Sequence, residues 1–210
     1  MSRPGDHSPL FISVIALELF LKKQVTTYYL EMTTPDDLVA AEPVAGFSVQ
    51  RCQHIVPEFN QFMFRAVGGP WRWYSRLGWD YAAWLSHLTD ERVTTFMATY
   101  DGSLAGYFEL FTHPDNSVEL HFFGLLPTFY GKGLGSRLLV EAIQSAWSLA
   151  PERVWVHTCS EDHKYALANY ERRGFHCFNQ QTEWEELPED DSPQWLTAPF
   201  VFSQLNRHRG

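Results

Sequence analysis

The chain has 210 residues, 45% of them hydrophobic and 20% charged, which suits one globular domain with a substantial core and excludes a disordered or collagen-like protein. Its net charge of −9 argues against the broad basic surface with which a nucleic-acid binder displaces counterions from phosphates. Six of the acids (Glu183, Glu185, Glu186, Glu189, Asp190 and Asp191) crowd into nine positions and read as a solvated acidic loop; without them the body carries −3.

Residues 10–21 are apolar but number only twelve and include Glu18. That is too short for a membrane span of ~20 residues, and no small-residue cleavage site follows it. It reads as an added helix or strand after a linker-like start. Cys52, Cys159 and Cys177 are widely spaced and form no CxxC pair, which fits neither a disulfide framework nor a zinc site and points to a reducing cytoplasm.

Val25 to Met32 is β-branched and aromatic and reads as a first strand, followed by a Pro-Asp-Asp turn into helix. Pro57 to Ala66 and Asp80 to Leu88 read as helices, the second with Asp80 as N-cap. Asp101-Gly102 between two apolar runs predicts a hairpin of Val93–Tyr100 with Ser103–Phe111. A second turn at His113–Ser117 leads to a third strand, Val118–Leu126. The apolar period then changes from two to 3.6, with Leu134, Leu138, Leu139, Ala142, Ile143, Ala146 and Trp147 on one helical stripe. Arg153–Thr158 reads as a buried strand, Ser160 as the cap of a helix from Glu161 to Arg173, Gly174 as its stop, and Phe175–Gln181 as a last strand. The order β-α-α-β-β-β-α-β-α-β implies an α/β fold with a mixed sheet, parallel in its second half through right-handed crossovers.

Between the third meander strand and the long helix lies Pro127–Ser136, with glycines at 131, 133 and 135. Glycines there let backbone N–H groups converge, and the helix that starts in the loop adds unsatisfied amides and a positive dipole end, so the turn is an anion cradle suited to a pyrophosphate. It is spelled as neither a Walker loop nor a dinucleotide fingerprint.

A strand ending in apolar-apolar-Pro, then x-x-G-x-G opening a helix, then a strand and a helix with Tyr170-Glu-Arg-Arg-Gly174-Phe175, resembles the GNAT superfamily of acyl-CoA-dependent N-acetyltransferases over Val93 to Phe178. The resemblance implies a mostly antiparallel mixed sheet flanked by helices and splayed at the cofactor site. It implies a domain over residues 22–183, with 1–21 as an extension and 184–210 as an acidic segment packing on or extending it. It places Tyr130, Gly131, Lys132, Gly133, Leu134, Gly135 and Ser136 around the pyrophosphate of acetyl-CoA, with coenzyme A as product. Two spellings depart from the family: Tyr130 stands where Gln or Arg is usual, and His163 stands where Asn is usual, in position to donate to the cofactor arm.

An alkylammonium with pKa near ~10.4 needs a base before it attacks a thioester. By strand alternation Glu119, His121 and Phe123 share one face upstream of the loop, and in the resembled family a Glu or His on this strand is the base. Gly124 predicts a bulge or a close backbone approach, where the family's strands part and a freed N–H at Leu125 or Leu126 polarises the thioester carbonyl. Tyr170, sharing a helix face with His163, Ala166 and Leu167, is the candidate acid for the leaving thiolate. His157, His87 and His113 read as structural, and an acyl-cysteine route through Cys159 would need a His and an acid arranged about it.

Trp71, Trp73, Tyr74 and Trp79 fall in a stretch holding half of the chain's tryptophans, suited either to an acceptor wall or to core packing. The expected partner is a small-molecule or peptide amine, with neither nucleic acid nor membrane, on a monomer or homodimer. The expected activity is acetyl transfer to a primary amine by direct attack in a ternary complex. A non-catalytic acyl-CoA-binding or sensing module is the alternative.

Overall fold

The computed structural model describes residues 20–188; positions 1–19 and 189–210, with most of the predicted N-terminal apolar element and the acids Glu189, Asp190 and Asp191, lie outside them. In chain order the elements are β1 (Phe20–Met32), β2 (Phe47–Arg51), α1 (Pro57–Gly68), α2 (Tyr81–Leu88), β3 (Val93–Tyr100), β4 (Ser103–Thr112), β5 (Ser117–Leu125), α3 (Leu134–Trp147), β6 (Arg153–Cys159), α4 (Ala166–Arg172) and β7 (His176–Pro188). Among the described residues the strands form one mixed sheet in the order β2-β3-β4-β5-β6-β1-β7. No helix among them is long and apolar enough to cross a membrane.

Local chemistry accounts for the central elements. Asp101 and Gly102 both take positive φ, 48° and 77°, the geometry a two-residue hairpin requires. Asp80 caps α2 by accepting from the Ala83 N–H at 2.8 Å. The stripe of α3 is buried from Leu134 to Ala146 and half-buried at Trp147, with Leu134, Leu138, Leu139, Ala142, Ile143 and Ala146 in the core with residues of β4, β5 and β6; each large aliphatic side chain so buried contributes about 1.5–3 kcal/mol. The opposite sheet face is covered by α1 and α2 through Met63, Phe64, Val67 and Trp84.

Four expectations change. The predicted first strand is real, but β1 lies between β6 and β7, antiparallel to both, so the parallel crossover holds for β5-α3-β6 and not for β6 and β7. The predicted meander of β3, β4 and β5 gains a fourth strand, β2, paired with β3, a segment too short to stand out by alternation. The acidic run is strand as far as it is described: Glu185 and Glu186 on β7 lie opposite Lys23 and Lys22 on β1, a cross-strand charge pairing that favours the extended form. Finally, α4 starts at Ala166. Ser160 caps no helix, because its N–H and Oγ are both engaged with the backbone of Thr26 on β1.

One parallel contact positions the site. β5 and β6 pair only at Ser117–Arg153, Val118–Val154 and Glu119–Trp155; beyond it β5 runs six residues and β6 four without pairing each other. His121 is an extra residue in β5, since Leu110 faces Leu120 while Glu109 faces Phe122. This bulge reverses the alternation, so Phe123 does not share the face of Glu119 and His121 but packs with the α3-side core. The bulge predicted at Gly124 is therefore at His121, whereas Gly124 itself is the close approach: a Cβ there would meet Val67 of α1.

A buried ion pair ties the α1–α2 layer to the sheet. Arg76 donates to both oxygens of Glu109 on β4 at 2.9 and 3.2 Å, and His87 Nε2 lies 2.9 Å from the same carboxylate. The guanidinium sits 4.3 Å from the Phe122 ring centre and 4.6 Å from that of Trp79. Burial would raise the Glu109 pKa, but His87 and Arg76 hold it well below the ordinary carboxylate range.

Arg76→Met should cost about 3–5 kcal/mol in urea unfolding because it strands a buried carboxylate; a midpoint equal to wild type would show the pair to be dispensable. Gly174, at φ 100° with its Cβ position against the Asp37 carbonyl, should tolerate no side chain. Gly174→Ala is expected to lower the melting temperature by several degrees through strain of ~1–3 kcal/mol, and an unchanged melting temperature would contradict that close contact.

Candidate active site

The gap between the ends of β5 and β6 opens into a cavity of about 680 Å³, within the range of small-molecule sites. Its walls come from the parted strands, the glycine loop with the first turns of α3, the loop before α4 with α4 itself, the segment between α1 and α2, and residues of β1 and β7.

Gly131 and Gly133 both take φ 76°, a left-handed conformation that side chains disfavour. A Cβ on either would enter open space, so the backbone faces the cavity bare. Gly133 precedes α3 and no side chain caps the helix, leaving first-turn N–H groups for an anion. Gly131, Gly133, Gly135, Ser136 and Tyr130 line the cavity. Lys132 and Leu134 do not: the ammonium lies 5.4 Å from the Phe129 ring centre, and Leu134 is in the core.

The two candidate amides separate. Leu126 N–H donates to the Ala105 carbonyl at 2.8 Å and is committed to the sheet. Because antiparallel partners alternate along a strand, the Leu125 N–H points to the other edge of β5, where β6 has departed. Leu125 lines the cavity and Leu126 does not.

Tyr170 is buried against Phe123 and Phe175 yet lines the cavity. Burial pushes its hydroxyl well above the ordinary tyrosine range, with Asp162 adding to the effect, so the proton is retained at neutral pH. His163 is in the loop before α4 rather than on its face. It meets Trp71 edge-on at 4.9 Å, and Tyr130 lies 6.4 Å from both. The Tyr130 hydroxyl is buried, and burial raises its pKa against the opposing effect of Trp71. The two departures from the family spelling thus gather around one tryptophan.

The acid–base groups are arranged less simply than alternation implied. Glu119 is buried and outside the lining; its oxygens lie 2.9 Å from His113 Nε2 and 3.1 Å from His157 Nδ1. Burial would raise its pKa, but the histidines around it hold it below the ordinary value. His121 lines the cavity. Burial drives its pKa down to about 4, against the pull of Glu119 and Glu109. His157, read from sequence as structural, lines the cavity and bonds Glu119. Its signal was the parallel register, which sets Glu119 opposite Trp155 and so brings residue 157 to the same face, two positions along. Burial pushes the Cys159 thiol up to about 11, which disfavours a thiolate nucleophile.

Of the aromatic stretch, Trp71, Trp73 and Tyr74 line the cavity. Trp79 does not; it packs on Trp84 and His87 in the α2 layer. Tyr74 donates to Glu185 of β7 at 2.8 Å, fastening the aromatic segment to the strand beyond β1.

The bare glycine turn, the uncapped helix start and the unpaired strand edge fit the phosphates and thioester of an acyl-CoA. The Acetyltransferase (GNAT) family model matches residues 54–175. Curated protein sequences give no significant match. Solved structures share the fold at low identity. A GCN5-related N-acetyltransferase from Sphaerobacter thermophilus is 16% identical with a TM-score of 0.59, covering 83% of this chain and 55% of its own. One from Kribbella flavida is 16% identical at 0.55, covering 78% and 58%. A GNAT-family acetyltransferase from Novosphingobium aromaticivorans is 17% identical at 0.51, covering 79% and 66%. The chain spans between about half and two thirds of the length of these proteins. Since the family model runs over more than half of the chain, from just before α1 to the residue after Gly174, this protein is a member of the GNAT family of acetyltransferases.

Proposed function

We propose that the protein is an N-acetyltransferase that moves the acetyl group of acetyl-CoA to a primary amine by direct attack in a ternary complex. The observation that carries this reading is the meeting, in one cavity, of the bare glycine turn at the start of α3 with the unpaired edge of β5. Acetyl-CoA supplies an acyl group already joined to a good leaving group. Gly131, Gly133 and the first turn of α3 would hold its pyrophosphate through backbone N–H groups, with Ser136 and His163 beside them. The Leu125 N–H would donate to the carbonyl oxygen as negative charge develops there, a contribution of ~3 kcal/mol. Tyr170, kept protonated by burial, would give its proton to the departing sulfur, whose parent thiol titrates near ~8.5 and needs only mild assistance. Trp71, Trp73 and Tyr74 would form one wall of the acceptor site. The free thiols of Cys52, Cys159 and Cys177 suit a cytoplasmic setting.

Calorimetric titration with acetyl-CoA, with NADH and ATP as controls, should give micromolar binding of acetyl-CoA alone; heat from neither acetyl-CoA nor coenzyme A would defeat the reading. Binding without thiol release across a panel of amines would favour the acyl-CoA-sensing alternative.

Two variants separate cradle from chemistry. Gly133→Val should lose at least tenfold in acetyl-CoA affinity while keeping the wild-type circular dichroism spectrum, since it strains the turn by ~1–3 kcal/mol and fills the cradle. Tyr170→Phe should lower kcat at least about tenfold with acetyl-CoA affinity little changed; an unaltered kcat would remove Tyr170 from the acid role.

A further inference from the structure

We propose that His157 is the general base of this site, with Glu119 behind it as a positioning residue. The proposal rests on the acetyl-transfer reading and names a group that the family match does not assign.

Access and bonding separate the three candidates. Glu119 has 7% of its side chain accessible, and each oxygen already faces a histidine nitrogen. An acceptor in the cavity reaches it only through another group. His121 is 27% accessible, but its Nδ1 is buried without a hydrogen-bond partner, 3.6 Å from Glu109. With its pKa driven down to about 4 by burial, its lone pair is a poor match for an ammonium proton. His157 is 44% accessible and lines the cavity.

The Glu119 contact also selects the tautomer. An ionised carboxylate 3.1 Å from Nδ1 requires the proton on that nitrogen, which leaves the Nε2 lone pair as the basic site. The groups facing the ring are Glu119 from β5, with His113 on its far oxygen, Asp162 from the loop after β6, and the Tyr29 ring from β1 at 6.1 Å. The Glu119 hydrogen bond raises the His157 pKa and outweighs the opposing effect of burial, with the Glu119 and Asp162 charges adding to it. A carboxylate that orients an imidazole in this way raises its basicity without itself reaching the substrate.

The proton balance closes. One proton of the alkylammonium passes to His157 Nε2 and then to water. The freed nitrogen lone pair forms the C–N bond to the acyl carbon, and the C–S bond breaks with its electron pair on sulfur. Sulfur takes the Tyr170 proton, and the surplus proton on nitrogen restores the tyrosine. The sum is one amide, one thiol and one released proton.

The first test needs no turnover. In the free protein labelled with ¹⁵N-histidine, neutral His157 should carry its proton on Nδ1, and its titration midpoint should fall by about one pH unit in Glu119→Gln. A proton on Nε2, or a midpoint that does not move, overturns the proposal. The second test is thiol release from acetyl-CoA with tyramine and spermidine as acceptors. The wild-type kcat/KM should rise with pH through the His157 midpoint, because the neutral ring is the active form. In Glu119→Gln that inflection should move down with the NMR midpoint. His157→Ala should lose roughly 100-fold in kcat/KM at neutral pH, regain part of it with added imidazole, and bind acetyl-CoA in the calorimeter as wild type does. Wild-type rate and inflection in His157→Ala overturn the proposal. A wild-type protein that binds no acetyl-CoA overturns the transferase reading, while the tautomer and the titration are still read independently.

Discussion

The parting of β5 from β6 after three residue pairs is the constraint from which the site follows. If the two strands stayed paired, their edges would satisfy each other and the sheet would be closed where the cavity now lies. Two local features favour the opening. The extra residue at His121 adds twist to β5, and the missing side chain at Gly124 lets Val67 of α1 press against that strand. The strand is thereby drawn toward the α1 layer while β6 stays with β1 over Met32 to Thr27. What opens is an edge with at least one outward N–H, at Leu125, beside a helix start with N–H groups of its own. Backbone amides in a part-buried setting are strong donors with no side chain to reorganise, so the fold itself supplies polar chemistry at this point.

Two buried carboxylates on one sheet face illustrate how partners decide a role. Glu109 and Glu119 are both withdrawn from solvent and both held below the ordinary carboxylate pKa. Glu109 is neutralised by Arg76, which stays charged at any physiological pH, and its environment of Trp79 and Phe122 excludes water. That pair is an anchor for the α2 layer. Glu119 has only imidazoles within hydrogen-bond distance, rings that can exchange a proton as a guanidinium cannot. One of those rings is open to the cavity. The same residue type, two positions along the neighbouring strand, is held by a permanent cation in one case and beside a ring that opens to the cavity in the other.

Much of the fold is legible along the chain because its determinants are local. Asp101-Gly102 encodes a turn that needs two positive φ values, and the apolar stripe from Leu134 to Ala146 encodes a helix with one buried face. The spacing of Gly131, Gly133 and Gly135 about the start of that stripe marks the glycine turn. What escaped reading was set by distant partners. β1 has the alternation of any strand, and nothing in residues 20–32 says that they lie between β6 and β7. Ser160 has the spelling of a helix cap, but Thr26, more than a hundred residues away, takes both of its backbone-facing groups. The bulge at His121 leaves no mark in composition, and it reverses the face of Phe123.

The sequence alone determined the order of most elements, the glycine turn with its uncapped helix, and the residue types available for acid–base work, since turn dihedrals and helical periodicity are properties of neighbouring residues. The tertiary structure decided which of those residues meet. Glu119 and His157 are separated by 38 positions, and they come together because two strands run parallel for three residues before diverging. That register and that divergence depend on packing between α1, the β5 bulge and β1, which are contacts between segments far apart in the chain, and no local pattern encodes them.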